Sequence, residues 1–191
     1  YLQCLPNLRV LYPKDGFELR AMVLRHLRDL RSPTLILAPY GPLDELDAAV
    51  LDEPAESLDR PELAQAGNDV LLLTVGNKFI AAKQACLLLR EAGVDAGLVN
   101  LRQVKPLPVE ALTPLLAGHS RIVTIEEGVL EGGVGAGVAA LLQDAGIAAE
   151  LLRVGLPCTF VEPGSNQELC AAYGLTGTDI ADRITTRWPH I

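Results

Sequence analysis

The sequence predicts an α/β fold, in which helices cover both faces of a mostly parallel sheet, for the part of the chain after residue 68. Two observations carry this prediction. Continuous apolar runs such as residues 70–75 are typical of strands that are buried on both faces of a sheet. Strand and helix patterns also alternate at short intervals, as a parallel sheet requires. With 191 residues, the chain has room for one complete domain and part of another.

The first 41 residues show a smaller strand–helix–strand pattern. Residues 8–11 form a short apolar run, and Asp15 is placed to cap a helix that begins at about Phe17. Pro33 introduces a second strand over residues 34–38. The apolar side chains expected to face a core recur at helical spacing: Phe17, Ala21, Leu24 and Leu27.

Residues 42–68 have the composition of a linker. Between Pro39 and Asp69 there are four prolines, and nine acidic residues stand against the single base Arg60. Proline and like charges keep a segment extended and solvated. The alternative is a short acidic helix over residues 43–51.

Regular alternation begins at residue 69 and continues to residue 191. The expected strands cover residues 70–75, 96–101, 121–125 and 150–154. The expected helices cover residues 79–91, 109–117, 135–145, 166–173 and 178–186. Ser165 and Glu168 have the spacing of a capping box, so we expect Ser165 to begin a helix.

Charge and cysteine content exclude several classes of protein. The net charge is −8 and the basic residues are scattered, which argues against nucleic acid as a partner. No apolar run reaches the roughly 20 residues that span a membrane. The four cysteines lack metal-ligand spacing and are expected to be reduced thiols of a cytoplasmic protein: Cys4, Cys86, Cys158 and Cys170. The start at Tyr1 is expected to be a cut within a longer polypeptide.

Three segments of the second unit are more specific than its fold. Residues 100–107 contain the pattern R-x-x-K-P-L, residues 124–135 contain T-x-E-E before a glycine-rich turn, and residues 153–165 read R-V-G-L-P followed by F-V-E-P-G-S. In this order they resemble the carboxyl-terminal domain of the transketolase superfamily, and most closely that of the 1-deoxy-D-xylulose-5-phosphate synthases. The motif positions are expected to be structural or to lie at an interface: Arg102, Lys105, Pro106, Glu126, Glu127, Gly132, Gly133 and Gly135.

The resemblance also covers the front of the chain, where residues 5–10 and 13–19 are similar to the end of the synthase's pyrimidine-binding domain. It implies a truncated pyrimidine-binding domain over residues 1–41, a linker over 42–68 and a complete three-layer α/β/α carboxyl-terminal domain over 69–191. The family's reaction is a transferase reaction. It condenses pyruvate with glyceraldehyde 3-phosphate to 1-deoxy-D-xylulose 5-phosphate, a precursor of isoprenoids, thiamine and pyridoxal.

The resemblance further implies that the parent enzyme uses thiamine diphosphate and Mg²⁺ and is a homodimer. The family's G-D-G…N metal motif, activating glutamate and histidine-bearing loop align upstream of Tyr1. No catalytic, cofactor-binding or metal residue is therefore assigned to this chain, which is expected to be inactive alone. Its expected partners are the remaining amino-terminal and pyrimidine-binding domains.

Two alternatives remain open. The chain could be a non-catalytic subunit of a split transketolase-like enzyme, or the carboxyl-terminal domain of a 2-oxoacid dehydrogenase β-type subunit. One departure keeps the second alternative open: where the family has R-Y-P-R-G, residues 37–41 read L-A-P-Y-G. Leu37 and Tyr40 lack the planar donors with which arginine binds phosphate, so phosphosugar specificity is uncertain.

Local features allow a functional and a structural interpretation. The glycines of residues 128–137 could cradle a phosphate, but they lack the G-x-G-x-x-G spacing, which favours a tight turn. Glu126 and Glu127 could form an acid–base pair. Neighbours on a strand point to opposite faces, so we expect one to cap the turn or lie at a subunit contact and the other to be solvated. The histidines are expected to be surface residues: His26, His119 and His190.

Overall fold

The computed structural model describes residues 2–28, 32–39, 44, 46, 48–53 and 55–191. In chain order its strands are β1 (Arg9–Leu11), β2 (Thr34–Ile36), β3 (Glu62–Gln65), β4 (Val70–Thr74), β5 (Ala96–Asn100), β6 (Gln103–Lys105), β7 (Arg121–Val129) and β8 (Glu150–Leu156). Its α-helices are α1 (Gly16–Arg28), α2 (Lys78–Glu91), α3 (Val109–Ala117), α4 (Val134–Asp144), α5 (Asn166–Ala172) and α6 (Gly177–Arg187).

The larger sheet confirms the predicted mostly parallel arrangement. Its strand order is β3-β5-β4-β7-β8. The strands β5, β4, β7 and β8 are parallel to one another, and β3 pairs antiparallel with β5. All five residues of β4 are buried, as expected for a central strand covered on both faces.

Two apolar layers confirm the predicted α/β/α fold. On one face of the sheet, α2 and α6 bury side chains such as Phe79 and Ile184. On the other face, α3 and α4 bury Leu112 and Val138. Successive residues of a strand point to opposite faces, so Leu72 packs into the first layer and Leu71 into the second.

The front of the chain forms a second, three-stranded sheet with the order β2-β1-β6. The strands β1 and β2 are parallel and are connected through α1, so the predicted strand–helix–strand unit is confirmed. As expected, Asp15 accepts a hydrogen bond from the backbone N–H of Glu18 at 2.7 Å. Strand β6 pairs antiparallel with β1 and thereby joins the unit to the rest of the chain.

The buried face of α1 differs from the predicted one. The expected stripe is wrong at its carboxyl end, because Leu24 is 43% exposed and Leu27 is 68% exposed. Met22 and Glu18 are fully buried instead. The helix lies against a 3₁₀ helix, Ala48–Asp52, which the sequence pattern did not predict as its partner.

The expected linker contains ordered structure in its described part. Two 3₁₀ helices, Ala48–Asp52 and Ala55–Asp59, bury Val50 and Leu58. Strand β3 also lies within residues 42–68 and forms an edge of the larger sheet. The boundaries between the three predicted regions remain a prediction.

Within the described residues, no helix combines the length and apolar character needed to cross a bilayer. All four cysteines are free thiols, of which Cys4 and Cys158 are exposed and Cys86 and Cys170 are buried.

Candidate functional site

A buried carboxylate meets the glycine-rich turn where β7 leads into α4. Glu126 is 3% exposed, and its two oxygens accept hydrogen bonds from the backbone N–H groups of Val134 and Gly135, each at 2.8 Å. The first N–H groups of a helix have no partner within the helix, and negative charge is stabilised there. Burial nevertheless raises the pKa of Glu126, and these two amides oppose that rise.

Close packing explains the glycines of this turn. A Cβ atom on Gly133 would lie 2.4 Å from a carboxylate oxygen of Glu126, and one on Gly135 would lie 2.5 Å from Oγ1 of Thr124. Gly132 adopts a φ of +73°, which favours glycine. Because the chain's own carboxylate occupies the N-terminus of α4, the geometry favours a packed turn over a phosphate-binding loop.

Glu127 points away from Glu126 into a polar cluster that we call the Glu127 cluster. The second glutamate, which we expected to be solvated, is partly solvated, since its side chain is 24% exposed. Its carboxylate accepts hydrogen bonds from Nδ2 of Asn77 at 2.9 Å and Nδ2 of Asn166 at 2.8 Å, and pairs with Nζ of Lys78 at 2.9 Å. Burial raises the pKa of Glu127, but these donors outweigh it, so the pKa lies below the ordinary value.

Lys78, Cys170 and Tyr12 complete the cluster. Nζ of Lys78 donates to Sγ of Cys170 at 2.8 Å, and the hydroxyl of Tyr12 lies 3.2 Å from Oδ1 of Asn77. Burial lowers the pKa of Lys78, but its bonds to Cys170 and Glu127 raise it above the ordinary value. Burial and the charge of Glu127 raise the pKa of Tyr12 to about 12. Sequence reasoning singled out only Glu127 of this cluster, because the other members belong to no motif and lie in segments far apart along the chain.

Arg102 lies at the centre of a buried ionic cluster. The residue is 2% exposed and adopts a φ of +57°. Its Nε donates to the fully buried carboxylate of Glu18 at 2.6 Å, and its two terminal nitrogens donate to Glu53 at 3.0 and 3.1 Å. Nζ of Lys14 pairs with Glu62 at 2.6 Å in the same cluster. The cluster joins α1, the region 42–68 and the turn after β5.

Lys105 and Pro106 also attach the front unit, through contacts at the start of the chain. Nζ of Lys105 donates to three backbone carbonyl oxygens, those of Leu2 at 2.8 Å, Gln3 at 2.9 Å and Leu5. The Lys105–Pro106 peptide bond is cis, and the Pro106 carbonyl accepts a hydrogen bond from Gln103 at 2.6 Å. The R-x-x-K-P-L segment therefore attaches the front unit to the larger sheet.

Two of the three histidines, which we expected at the surface, are partly exposed and contact backbone carbonyl groups. The ring nitrogens of His119 lie 2.8 Å from the carbonyl oxygens of Leu115 and Gly67, so this side chain connects α3 to the segment before β4. Nδ1 of His26 lies 2.8 Å from the Met22 carbonyl oxygen, and its Nε2 is buried without a partner among the described residues. His190 is exposed, as predicted.

At the position of the family's first arginine, Leu37 continues the pairing of the small sheet. Its backbone N–H donates to the carbonyl oxygen of Leu11 at 2.8 Å. Tyr40, the second position of that departure, lies outside the described residues.

The described residues do not fit thiamine diphosphate with Mg²⁺. A diphosphate held through a metal needs carboxylate or carbonyl ligands grouped around the ion. In the described part of the chain, no group of three or more His, Cys, Asp or Glu side chains could hold one. The N-terminus of α4 is occupied by Glu126, and Glu127 is occupied by Lys78 and two amides.

The fold and these contacts define a three-layer α/β/α domain whose motif residues attach it to a neighbouring unit. Residues 60–180 match the family model described as transketolase, C-terminal domain. The chain belongs to this transketolase carboxyl-terminal domain family.

Curated relatives agree with this assignment and are longer than the chain. The chain is 36% identical over 190 residues to a 1-deoxy-D-xylulose-5-phosphate synthase of Thermosynechococcus vestitus. This alignment covers 98% of this chain and 30% of the relative. It is also 36% identical over 186 residues to the enzyme of the same name from Microcystis aeruginosa, with 96% and 29% covered. The chain thus spans less than a third of the length of these relatives.

Solved structures show the same fold. A structure titled as a split-gene transketolase, an inactive β4 tetramer, superposes with a TM-score of 0.82 at 26% identity, covering 97% of this chain and 59% of that one. A transketolase mutant from Pichia stipitis superposes with a TM-score of 0.70 at 18% identity, covering 96% and 25%.

Proposed function

We propose that this chain is the carboxyl-terminal part of a thiamine-diphosphate- and Mg²⁺-dependent synthase that condenses pyruvate with glyceraldehyde 3-phosphate to 1-deoxy-D-xylulose 5-phosphate. The observation that carries the proposal is the 36% identity to such synthases over 98% of the chain. The cofactor supplies the carbon–carbon chemistry when bound to the parent enzyme. The resemblance implies that its ligands lie upstream of Tyr1 in the parent enzyme.

In this proposal the chain has a structural role and supports a homodimer. The Arg102 cluster and Lys105 hold the front unit against the larger sheet, which suits a domain that positions its neighbours. Leu24 and Leu27 leave an apolar surface exposed on α1. Strand β2 forms the edge of the small sheet. The remainder of a pyrimidine-binding domain would extend that sheet and cover that helix.

An activity assay with two polypeptides tests the proposal. The purified 191-residue chain, given thiamine diphosphate, Mg²⁺, pyruvate and glyceraldehyde 3-phosphate, is expected to form no product. The native polypeptide that carries the upstream G-D-G…N region is expected to be active. Turnover by the chain alone would refute the structural role. Failure of the longer polypeptide with these substrates would refute the synthase reaction.

Phosphosugar specificity is tested on the longer polypeptide. Arginine binds phosphate through a planar fork of donors that Leu37 lacks. We expect Leu37→Arg to lower KM for glyceraldehyde 3-phosphate and to leave KM for unphosphorylated glyceraldehyde unchanged. Equal effects on both aldehydes would show that this position does not bind the phosphate.

A second candidate is a subunit of a split transketolase-like enzyme, and the split-gene structure favours it, since that structure matches 97% of this chain. In this case the native polypeptide would begin near Tyr1 and would co-purify with a separate amino-terminal polypeptide. Intact mass and gene context distinguish the candidates. A product of about 600 residues supports the synthase, because the 190 aligned residues are 30% of the length of the relative from Thermosynechococcus vestitus. Analytical ultracentrifugation of either product tests the homodimer.

A further inference from the structure

The Glu127 cluster holds a thiol and an amine in direct contact, and the structural role does not use this pair. Cys170 and Lys78 are 92 positions apart in sequence, yet Sγ and Nζ lie 2.8 Å apart. Oε1 of Glu127 lies 2.9 Å from Nζ and 3.7 Å from Sγ. The site therefore holds a thiol that can be oxidised, an amine that can react with the oxidised sulfur, and a carboxylate that can accept a proton.

The surroundings admit a small oxidant and exclude bulk solvent. Cys170 is 9% exposed and Lys78 is 5% exposed, whereas the side chain of Glu127 is 24% exposed. Asn166, which is exposed, also contacts the sulfur, with Oδ1 at 3.5 Å. This polar edge offers a small peroxide, and later a small thiol, a route to the sulfur.

We propose that Cys170 is an oxidation site whose sulfenic acid is captured by Lys78 as a covalent, thiol-reversible sulfenamide. The oxidant is a hydroperoxide such as hydrogen peroxide. Sulfenic acids condense with nearby nitrogen nucleophiles, and the reaction is reversed by thiols. The fixed contact between Nζ and Sγ makes this capture intramolecular, which favours it over further oxidation.

The chemistry balances in two steps. First, the Cys170 sulfur attacks one peroxide oxygen, and the O–O bond breaks. The thiol proton passes to Glu127 and from there to the leaving oxygen. The products are the sulfenic acid, S–OH, and one water. Second, the neutral Lys78 amine attacks that sulfur, the S–O bond breaks, and the hydroxyl leaves as water with a proton from nitrogen. The sulfur loses two electrons to the peroxide overall. One thiol, one amine and one hydrogen peroxide yield one S–N bond and two waters.

Charge in the site determines the pH dependence of the second step. Lys78 faces the Glu127 carboxylate and the Cys170 sulfur, and these two raise its pKa above the ordinary value against the effect of burial. Tyr12 lies next to the same cluster, and its pKa is raised to about 12, so it stays neutral. The amine must lose a proton before it attacks, so bridge formation is expected to accelerate as the pH rises above neutrality.

The test treats the 191-residue chain with hydrogen peroxide and measures intact mass and linked peptides. A background with Cys4→Ser and Cys158→Ser removes the exposed thiols. We expect a loss of about 2 Da, restored by dithiothreitol, together with a linked pair of peptides containing residues 78 and 170. A gain of about 14, 16 or 32 Da without that S–N link would overturn the proposal.

Three variants give the matched controls. Lys83→Arg changes an exposed lysine of the same helix and is expected to leave the bridge intact. Lys78→Arg keeps the positive charge and is expected to stop at a sulfenic acid that reacts with dimedone. Cys170→Ser should abolish the mass loss. Persistence of the mass loss in Lys78→Arg would assign it to a disulfide with Cys86 and overturn the proposal. The linked peptides of the background protein decide the question even if a variant fails to fold.

Discussion

Replacing Arg102 with methionine tests the buried ionic cluster directly. The guanidinium is the cation that contacts the fully buried carboxylate of Glu18 at 2.6 Å. Removing one partner of a buried ion pair costs about 3–5 kcal/mol, because the other charge remains buried without compensation. Glu53, whose side chain is 32% exposed, can turn to water and adds little to this cost. We therefore expect Arg102→Met to lower the free energy of unfolding by about 3–5 kcal/mol.

Urea unfolding measures this loss through the fluorescence of Trp188, the chain's single tryptophan, which is buried. The expected decrease in the midpoint is roughly 1–2 M urea, given the usual dependence of unfolding free energy on denaturant. Arg187→Met is the matched control. Its partner Glu150 lies 3.1 Å away, but both side chains are 54% exposed, so the expected loss is below about 1 kcal/mol.

A second substitution separates uncompensated charge from lost packing. Adding Glu18→Gln to Arg102→Met removes the buried charge and is expected to recover most of the stability. Burial raises the pKa of Glu18 above its ordinary 4.5, and Arg102 opposes this rise. A raised folded-state pKa contributes stability below pH 4.5 that is lost as the pH rises through the folded value. The deficit of Arg102→Met should therefore shrink in acid.

Two outcomes would refute this reasoning. A loss in Arg102→Met no larger than that in Arg187→Met would show that the cluster adds nothing beyond a surface pair. A deficit that neither Glu18→Gln nor lower pH reduces would assign the loss to packing of the arginine side chain.

Three further predictions concern the turn and the motif. Gly135→Ala places a Cβ atom 2.5 Å from Oγ1 of Thr124 and should lower the free energy of unfolding in urea by about 1–3 kcal/mol. In the control Gly118→Ala the Cβ atom lies 3.7 Å from its nearest neighbour, so the change should be nearly neutral. Equal losses would contradict the packing argument. Glu126→Gln removes a carboxyl whose pKa burial raises above 4.5, so we expect the Tm of the variant to fall less than that of the native chain as the pH rises above that value; identical curves would refute the assignment. Lys105→Met should speed amide hydrogen exchange over residues 2–11 and leave exchange in the larger sheet unchanged; unchanged exchange at the front would contradict the attachment.

Several elements could be predicted from the sequence because their causes are local. The apolar runs 70–75, 96–101 and 121–125 became the inner strands β4, β5 and β7, since a strand buried on both faces must be apolar throughout. The Ser165 capping box formed as its spacing indicates, because a side chain three residues from its partner needs no tertiary contact. Periodicity likewise located α3, whose described bounds Val109–Ala117 match the expected helix.

Features that depend on long-range contacts could not be predicted from the sequence. Strand β3 has two exposed and two partly buried residues, so it lacks the apolar pattern of a central strand. It is a strand because its backbone pairs with that of β5. In α1, the ionic cluster holds Glu18 inward, whereas Leu24 and Leu27 of the expected apolar stripe are exposed. Burial of a charge is determined by partners elsewhere in the chain, which a periodicity of 3.6 residues does not reveal.

The sequence by itself determined the order of strands and helices, the α/β class and the family resemblance, because these depend on local periodicity and on contiguous motifs. The tertiary structure alone decided what the motif residues contact. It places the carboxylate of Glu126 on a helix N-terminus and holds Lys78 beside Cys170 across 92 positions. Such contacts form when parallel strands bring their carboxyl ends to one edge of a sheet, and that convergence is a property of the folded chain.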